Sequence, residues 1–182
     1  MDTDESRHAE RVRTAVDRYA GPLTRYAMLV TGDVDLARDV VQDTFMRLCA
    51  EKPGHVESHL AQWLFTVCRN RALDVQRKQS RMKPLSDAEL SSQASPELSP
   101  AAQAERREAV GEVLELIANL PKNQQEVLRL KFQNGLSYQE ISGITNLTVS
   151  NVGFLIHTAL KTVRRHLQSK PRLTVDPFRR PS

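Results

Sequence analysis

The C-terminal fifty residues contain two short helical segments and a longer one, and this pattern constrains the fold most. Pro121 stands where a helix can begin, because the amide that proline lacks would be unpaired there. Gly135 provides a stop that tolerates positive φ, and Ser137 with Glu140 matches a capping box for the next helix. A tight turn then leads into a third helix from about Thr148 to Leu167. The sequence therefore predicts a helix–turn–helix that reads DNA.

The third predicted helix has one apolar and one polar side. At 100° per residue the apolar stripe comprises Val149, Val152, Ile156, Leu160, Val163 and Leu167. The polar side comprises Ser150, Asn151, Phe154, His157, Thr158, Lys161 and Arg165. Side chains of these polar types bind base edges and phosphates, which makes this side the candidate DNA surface. The alternative is an ordinary solvated face, and an exposed phenylalanine within it argues against that interpretation.

The composition favours an all-α protein of two small helical domains. The chain has 182 residues, only 5% of them aromatic, and seven glycines. No apolar run approaches the ~20 residues that span a bilayer, and the acidic N-terminus differs from a signal peptide, so we expect a cytoplasmic protein. Cys49 and Cys68 lack metal-site spacing and are expected to be reduced core residues. No metal or cofactor is predicted.

Charge is strongly segregated along the chain. Residues 69–83 carry six basic and one acidic side chain, and residues 121–170 carry seven and two. The segment between them, 84–120, carries two basic and seven acidic side chains. Two basic segments separated by an acidic one predict two nucleic-acid contacts joined by a connector that avoids the DNA backbone.

The N-terminal half predicts helices with one polar face each. A helical pattern runs from Arg7 to Val30 with a break at Gly21-Pro22, and Asp33 is a natural N-cap for the next helix. That helix has a polar side formed by Arg38, Asp39, Gln42, Asp43 and Met46. From the residues alone, partner binding and simple solvation explain this side equally well.

A third N-terminal helix, which Ser58 is expected to cap, begins with an apolar stripe and becomes basic towards its end. Trp63 lies on its apolar stripe, which favours a core position over base stacking. Further on, Arg71 and Asp74 are expected to pair at i, i+3. The other side carries a basic face, and its composition favours contact with the DNA backbone over a solvated helix end. Its members are Arg69, Asn70, Arg77, Lys78 and Arg81.

The segment between the two halves is rich in serine and proline and cannot form a core. We therefore divide the chain into a domain at 1–83, a flexible linker at 84–104, a helix–turn–helix domain at 105–170 and a disordered tail at 171–182. Ser99-Pro100 is expected to begin the supporting helix of the second domain.

Three motifs in this order resemble the extracytoplasmic-function (group 4) sigma factors of bacterial RNA polymerase. They are residues 35–45, residues 63–74 and residues 120–141. The resemblance implies that the polar side containing Asp39, Gln42 and Asp43 docks on the β′ clamp of core RNA polymerase. It implies that residues 63–65 and 69–74 melt and read the minus-ten element, and we assign Trp63 and the basic face that ends at Arg81 to this contact. It also implies that the C-terminal domain binds the β flap and reads the minus-thirty-five element. Double-stranded and locally melted promoter DNA are then partners, and an anti-sigma factor is a further candidate partner.

The chain departs from the family at three positions of the reading helix. Family members usually carry basic residues where Gly153, Leu155 and Thr158 stand here. We predict that the upstream element is read through Asn151, Phe154 and His157, while phosphates are bound by Lys161, Arg164 and Arg165.

Two other classes of protein remain open on the residues alone. One is a stand-alone helix–turn–helix regulator with an N-terminal sensing domain, although that half shows no ligand pocket signature. The other is a nucleic-acid enzyme, for which Asp39 and Asp43 at i, i+4 would have to hold a cation. The sequence shows no phosphate loop or nucleophile–base pair, and we predict that the chain is not an enzyme.

Overall fold

The computed structural model describes residues 2–52, 54–82, 111 and 113–169. Three long helices come first: α1 (Asp2–Thr31), α2 (Val34–Ala50) and α3 (Leu60–Met82), with a 3-10 turn at Glu57–His59 before α3. Residues 113–118 are helical, and α4 (Lys122–Leu128) continues into a π-helical turn at Arg129–Gln133. The last two helices are α5 (Tyr138–Thr145) and α6 (Val149–Ser169). Within the described residues all regular structure is helical, which confirms the predicted all-α class.

The first three helices pack around a shared core. Tyr26 of α1 and Phe65 of α3 meet edge to face with ring centroids 5.4 Å apart. Leu23, Val40 and Leu64 are fully buried beside them. The apolar faces expected from the 3.6-residue period therefore form the contact between these helices.

The predicted break at Gly21-Pro22 is wrong, because α1 continues through Pro22. A proline inside a helix costs about 3 kcal/mol through its lost hydrogen bond and its steric clash. Leu23, Tyr26 and Ala27 follow directly and are fully or almost fully buried. Burial of each larger side chain contributes about 1.5–3 kcal/mol. Tertiary packing thus outweighs the local signal.

The helix start and stop signals in the second half of the sequence correctly predict where its helices begin and end. The hydroxyl of Ser137 accepts from the Glu140 amide while the Glu140 carboxylate accepts from the Ser137 amide, which confirms the capping box. Gly135 has φ of 69°, and Asn146 closes α5 in the left-handed region with φ of 58°. Pro121 is the N-cap of α4. The helix–turn–helix is therefore present with the expected boundaries.

Of the two helix caps predicted in the first half, one is confirmed and the other is wrong. The Asp33 carboxylate accepts hydrogen bonds from the amides of Asp35 and Leu36, which confirms it as the N-cap of α2. Ser58, in contrast, lies inside the 3-10 turn, and α3 begins at Leu60.

The cysteine prediction holds for one residue only. Cys68 is buried and its pKa is raised to about 12 by burial. Cys49 is exposed, because its neighbour Leu48 occupies the inward position at the end of α2.

The two halves of the chain are in direct contact, which the sequence did not predict. Helix α3 packs against α5, and their buried side chains belong to one contiguous cluster. Gly143 of α5 lies so close to Gln62 of α3 that a Cβ atom at 143 would overlap the glutamine side-chain amide. The predicted linker, the helix start at Ser99-Pro100 and the tail at 171–182 lie outside the described residues. No helix in the described ranges combines the length and apolarity required for a membrane span.

Candidate nucleic-acid interface

The polar side of α6 is presented to solvent. Of the seven residues assigned to it, Thr158 is half-buried and the other six are exposed. Phe154 has 65% of its surface exposed. The predicted inward stripe is correct at Val152 and Ile156, which are buried. It is wrong at Val149, Leu160 and Leu167, which are between 42% and 47% exposed.

The three positions that depart from the family differ in their surroundings. Leu155 is only 7% exposed and belongs to the core. A Cβ atom at Gly153 would lie 3.5 Å from the Tyr138 ring, in ordinary contact. Thr158 is half-buried. A long basic side chain at position 155 would therefore have to leave the packed interior. Leucine at this position adds to the core, and the helix lacks the positive charge that family members usually carry there.

Side-chain contacts fix the turns that position α6. Lys131 donates to the Leu136 carbonyl at 3.2 Å and lies 5.4 Å from the centre of the Tyr138 ring. The Ser142 hydroxyl donates to the Leu147 carbonyl at 2.6 Å and closes the turn before α6. Hydrogen bonds from Ser137 lower the pKa of Glu140, so the capping carboxylate is ionised at neutral pH.

The polar side of α2 is largely exposed, but one of its residues is paired with a side chain of α3. Arg38, Asp39, Gln42 and Met46 are exposed. Asp43 instead accepts a hydrogen bond from Arg71 Nε of α3 at 2.6 Å.

The same ion pair overturns one expectation. The predicted Arg71–Asp74 pair is wrong, because Arg71 reaches across to Asp43 and Asp74 lies 3.5 Å from Arg77. No cluster of three His, Cys, Asp or Glu side chains suited to a metal occurs among the described residues.

The basic face of α3 divides into an exposed and an enclosed part. Asn70, Arg77, Lys78 and Arg81 are exposed. Trp63 is partly buried against the core. The remaining member, Arg69, does not lie on an open face.

Arg69 forms an ion pair with the second half of the chain. Its Nε donates to Glu126 Oε1 of α4 at 2.8 Å, and a terminal nitrogen lies 3.4 Å from Oε2. The hydroxyl of Tyr26 donates to the same Oε1 at 2.6 Å. Burial and then the charge of Glu126 raise the pKa of Tyr26. Although burial acts to lower the pKa of Arg69, the hydrogen bond and charge of Glu126 raise it overall.

Glu126 and Tyr26 were missed by reasoning from sequence. Glu126 did carry one signal, because residues 121–170 contain only two acidic side chains and the other is the capping Glu140. Tyr26 lies within the helical pattern predicted from Arg7 to Val30, and nothing in that pattern indicates a partner 100 residues away for its hydroxyl.

Comparison with known proteins agrees with this arrangement in both halves. Residues 15–82 match the family model "Sigma-70 region 2" and residues 111–168 match "Sigma-70, region 4". The ECF RNA polymerase sigma factor SigM of Bacillus subtilis is 31% identical over 147 residues, which cover 80% of this chain and 88% of SigM. SigL of Mycobacterium tuberculosis is 29% identical over 164 residues, covering 88% of this chain and 90% of SigL.

A solved structure shows the same fold. The sigma factor RpoE of Bartonella quintana, crystallised with the anti-sigma factor NepR, superposes with a TM-score of 0.66 at 21% identity, covering 87% of this chain and 98% of that one. The chain belongs to the extracytoplasmic-function family of RNA polymerase sigma factors. It acts as a sigma factor in the initiation of transcription, and the match over residues 15–82 replaces the alternative of an N-terminal sensing domain.

Proposed function

We propose that the chain divides promoter recognition between two surfaces. In this proposal the exposed α2 side contacts the β′ clamp of core polymerase, and the exposed α3 face captures the melted minus-ten element. The α6 side reads the minus-thirty-five element, in a domain that also binds the β flap. The chain supplies recognition, and catalysis belongs to the polymerase.

The observation that carries the proposal is the exposure of six polar-side residues on α6 while Val152 and Ile156 on its other side are buried. A recognition helix needs this geometry, because one face must be fixed by packing while the other enters the major groove. Asn151, Phe154 and His157 lie on that exposed face within its first turns. They are proposed to contact base edges, and Lys161, Arg164 and Arg165 to bind phosphates.

The partner surface on α2 is tested by transcription. Run-off transcription with core polymerase should produce discrete new products with the wild-type chain and lose them with Asp39→Arg, because the substitution reverses the charge of the docking face. Asp17→Arg on α1 is the matched control, since Asp17 is also an exposed helical aspartate. Equal loss in both variants, or in neither, would contradict the assignment.

The phosphate contacts of α6 are tested by salt dependence. Lys161→Ala and Arg165→Ala should each reduce the slope of log affinity against log salt by about one unit. Lys122→Ala, at the exposed start of α4, removes the same charge from a different helix and should leave the slope unchanged. An unchanged slope in the α6 variants would show that these side chains do not bind phosphate.

We propose that an anti-sigma factor binds the chain, as NepR binds the sigma factor RpoE of Bartonella quintana. We also propose a cytoplasmic protein, since its proposed partners are polymerase and promoter DNA.

A further inference from the structure

A three-residue polar contact joins the two halves of the molecule. The carboxylate of Glu126 in α4 accepts hydrogen bonds from Tyr26 of α1 and Arg69 of α3. The Tyr26 hydroxyl and Arg69 Nε lie 2.6 and 2.8 Å from its Oε1. The side chains of Arg69 and Glu126 are 17% and 15% exposed, and Tyr26 is 2% exposed. The other ion pairs within the described residues are more exposed than this one.

This contact occupies a residue of the proposed minus-ten face. Arg69 belongs by sequence position to the basic face of α3, yet its guanidinium is bonded to Glu126 rather than presented to solvent. Bidentate binding of a DNA phosphate through Nε and a terminal nitrogen would use the same donors that now bind the Glu126 carboxylate. Since the Arg69 side chain is only 17% exposed in this contact, such binding requires the contact with Glu126 to break.

The packing of α3 on α5 also limits how far the two reading surfaces can separate. The names of the minus-ten and minus-thirty-five elements place them about 25 base pairs apart, which is ~85 Å at ~3.4 Å per base pair. In the structure the two halves touch through Arg69–Glu126 and through Gln62 beside Gly143. Simultaneous reading of both elements requires these contacts to break.

We propose that Tyr26, Arg69 and Glu126 form a latch that holds the chain in a closed, inhibited state. The latch withholds Arg69 from DNA and keeps the two reading surfaces together. Binding to polymerase and promoter opens it, because Arg69 then exchanges the carboxylate for a phosphate. This regulation rests on the proposed function, since it presumes that α3 and α6 read separate elements.

The chemistry of the latch suits a reversible switch. Taking an arginine and a carboxylate out of water has a desolvation penalty that offsets much of their attraction. Opening returns both charges to water, so the closed state is favoured only modestly. A ligand that binds the open state can then shift the population.

The closed state is tested by energy transfer in the full chain. One dye is attached to the exposed Cys49 and the other to a Gln133→Cys substitution in the second half, where Gln133 is exposed. Cys68 stays unlabelled because it is buried and its pKa is about 12. The wild-type chain should show mainly high transfer efficiency.

Glu126→Gln is the principal variant. The glutamine amide oxygen can still accept from Arg69 and Tyr26 but carries no charge, so both hydrogen bonds weaken and the ratio of open to closed chains should rise about tenfold. Tyr26→Phe keeps the ring that packs on Phe65 but removes the hydroxyl, so it should act in the same direction with a smaller effect. Glu115→Gln is the matched control, because Glu115 is an exposed glutamate of the same half, and it should change nothing.

Inhibition is tested on the same variants by titration with core polymerase and promoter DNA. If the latch restrains activity, the apparent affinity of Glu126→Gln rises by up to the factor by which the open population rises. A wild-type chain that is already mostly open, or a Glu126→Gln chain with unchanged transfer, would overturn the latch. If Glu126→Gln lowered the energy-transfer efficiency but also weakened binding to polymerase and promoter DNA, the inhibitory role of the latch would be overturned.

The two proposals fail in different ways. If no chain supported transcription, wild type included, the proposed function would be contradicted. A lower energy-transfer efficiency in Glu126→Gln would still establish that Glu126 holds the two halves together.

Discussion

At the scale of single residues, Asp39 and Asp43 share one helix side but differ in surroundings. Periodicity places both on the polar side of α2. Asp39 is exposed, whereas Asp43 is bonded to Arg71 at 2.6 Å with about a third of each side chain still exposed. Periodicity predicts the side of a helix but does not reveal which residue a neighbouring helix will contact.

This difference predicts unequal effects on stability. Asp43→Asn should lower the free energy of unfolding by up to about 1 kcal/mol, because the pair it breaks is partly screened by water. Asp39→Asn should change it by less than about 0.5 kcal/mol, as is usual for surface positions. Urea denaturation of both variants checks the prediction, and equal values would contradict the structural role of Asp43.

The two cysteines should differ in reactivity. An aromatic disulfide reagent at neutral pH should modify Cys49 rapidly and Cys68 only after unfolding, because burial raises the pKa of Cys68 to about 12 and blocks access. We expect one reactive thiol in the native chain and two in denaturant. Two fast thiols in the native chain would show that the core around Cys68 opens readily.

At the scale of helices, sequence reasoning was most accurate where the signal is local. The caps at Asp33 and Ser137 and the left-handed glycine at 135 depend on a few neighbouring residues, and all three are present. It failed at Pro22, where packing of the following residues outweighs the local signal, and at Val149, Leu160 and Leu167 of α6, which are each more than 40% exposed.

The capping box should contribute measurably to the second half. Ser137→Ala should destabilise it by about 1 kcal/mol at neutral pH. Glu140 has a lowered folded pKa, so its contribution is complete above the ordinary glutamate pKa of about 4.3 and is lost as pH falls through the lowered value. The stability gap between wild type and Ser137→Ala should therefore narrow in acid, as thermal melts at pH 7 and below pH 4 would show.

At the scale of the whole molecule, the contact between the halves lay beyond prediction. Arg69 and Glu126 are 57 positions apart, and no period or short motif links residues at such a separation. The sequence predicted two helical units and their order, and both family matches agree with that order. Which surfaces meet depends on the shapes of both units together.

The approach of Gly143 to Gln62 predicts coupling between the halves. Gly143→Ala should favour helix α5 by up to about 1 kcal/mol. In the wild-type background part of that gain is lost, because the new Cβ displaces the Gln62 amide. In a Gln62→Ala background the full gain should appear. A double-mutant cycle on thermal stability measures the difference, and strict additivity would show that the two side chains do not meet.

The partnership of Glu126 with Arg69 and Tyr26 also limits how this chain can exchange parts with its paralogues. A chimera that joined the first 83 residues to the second domain of another family member would retain the arginine and tyrosine but not necessarily an acidic partner. Recombination between duplicated genes would then alter promoter choice and basal activity together. We therefore expect such a chimera to need an acidic residue at the position of Glu126 if Arg69 and Tyr26 are to keep their partner.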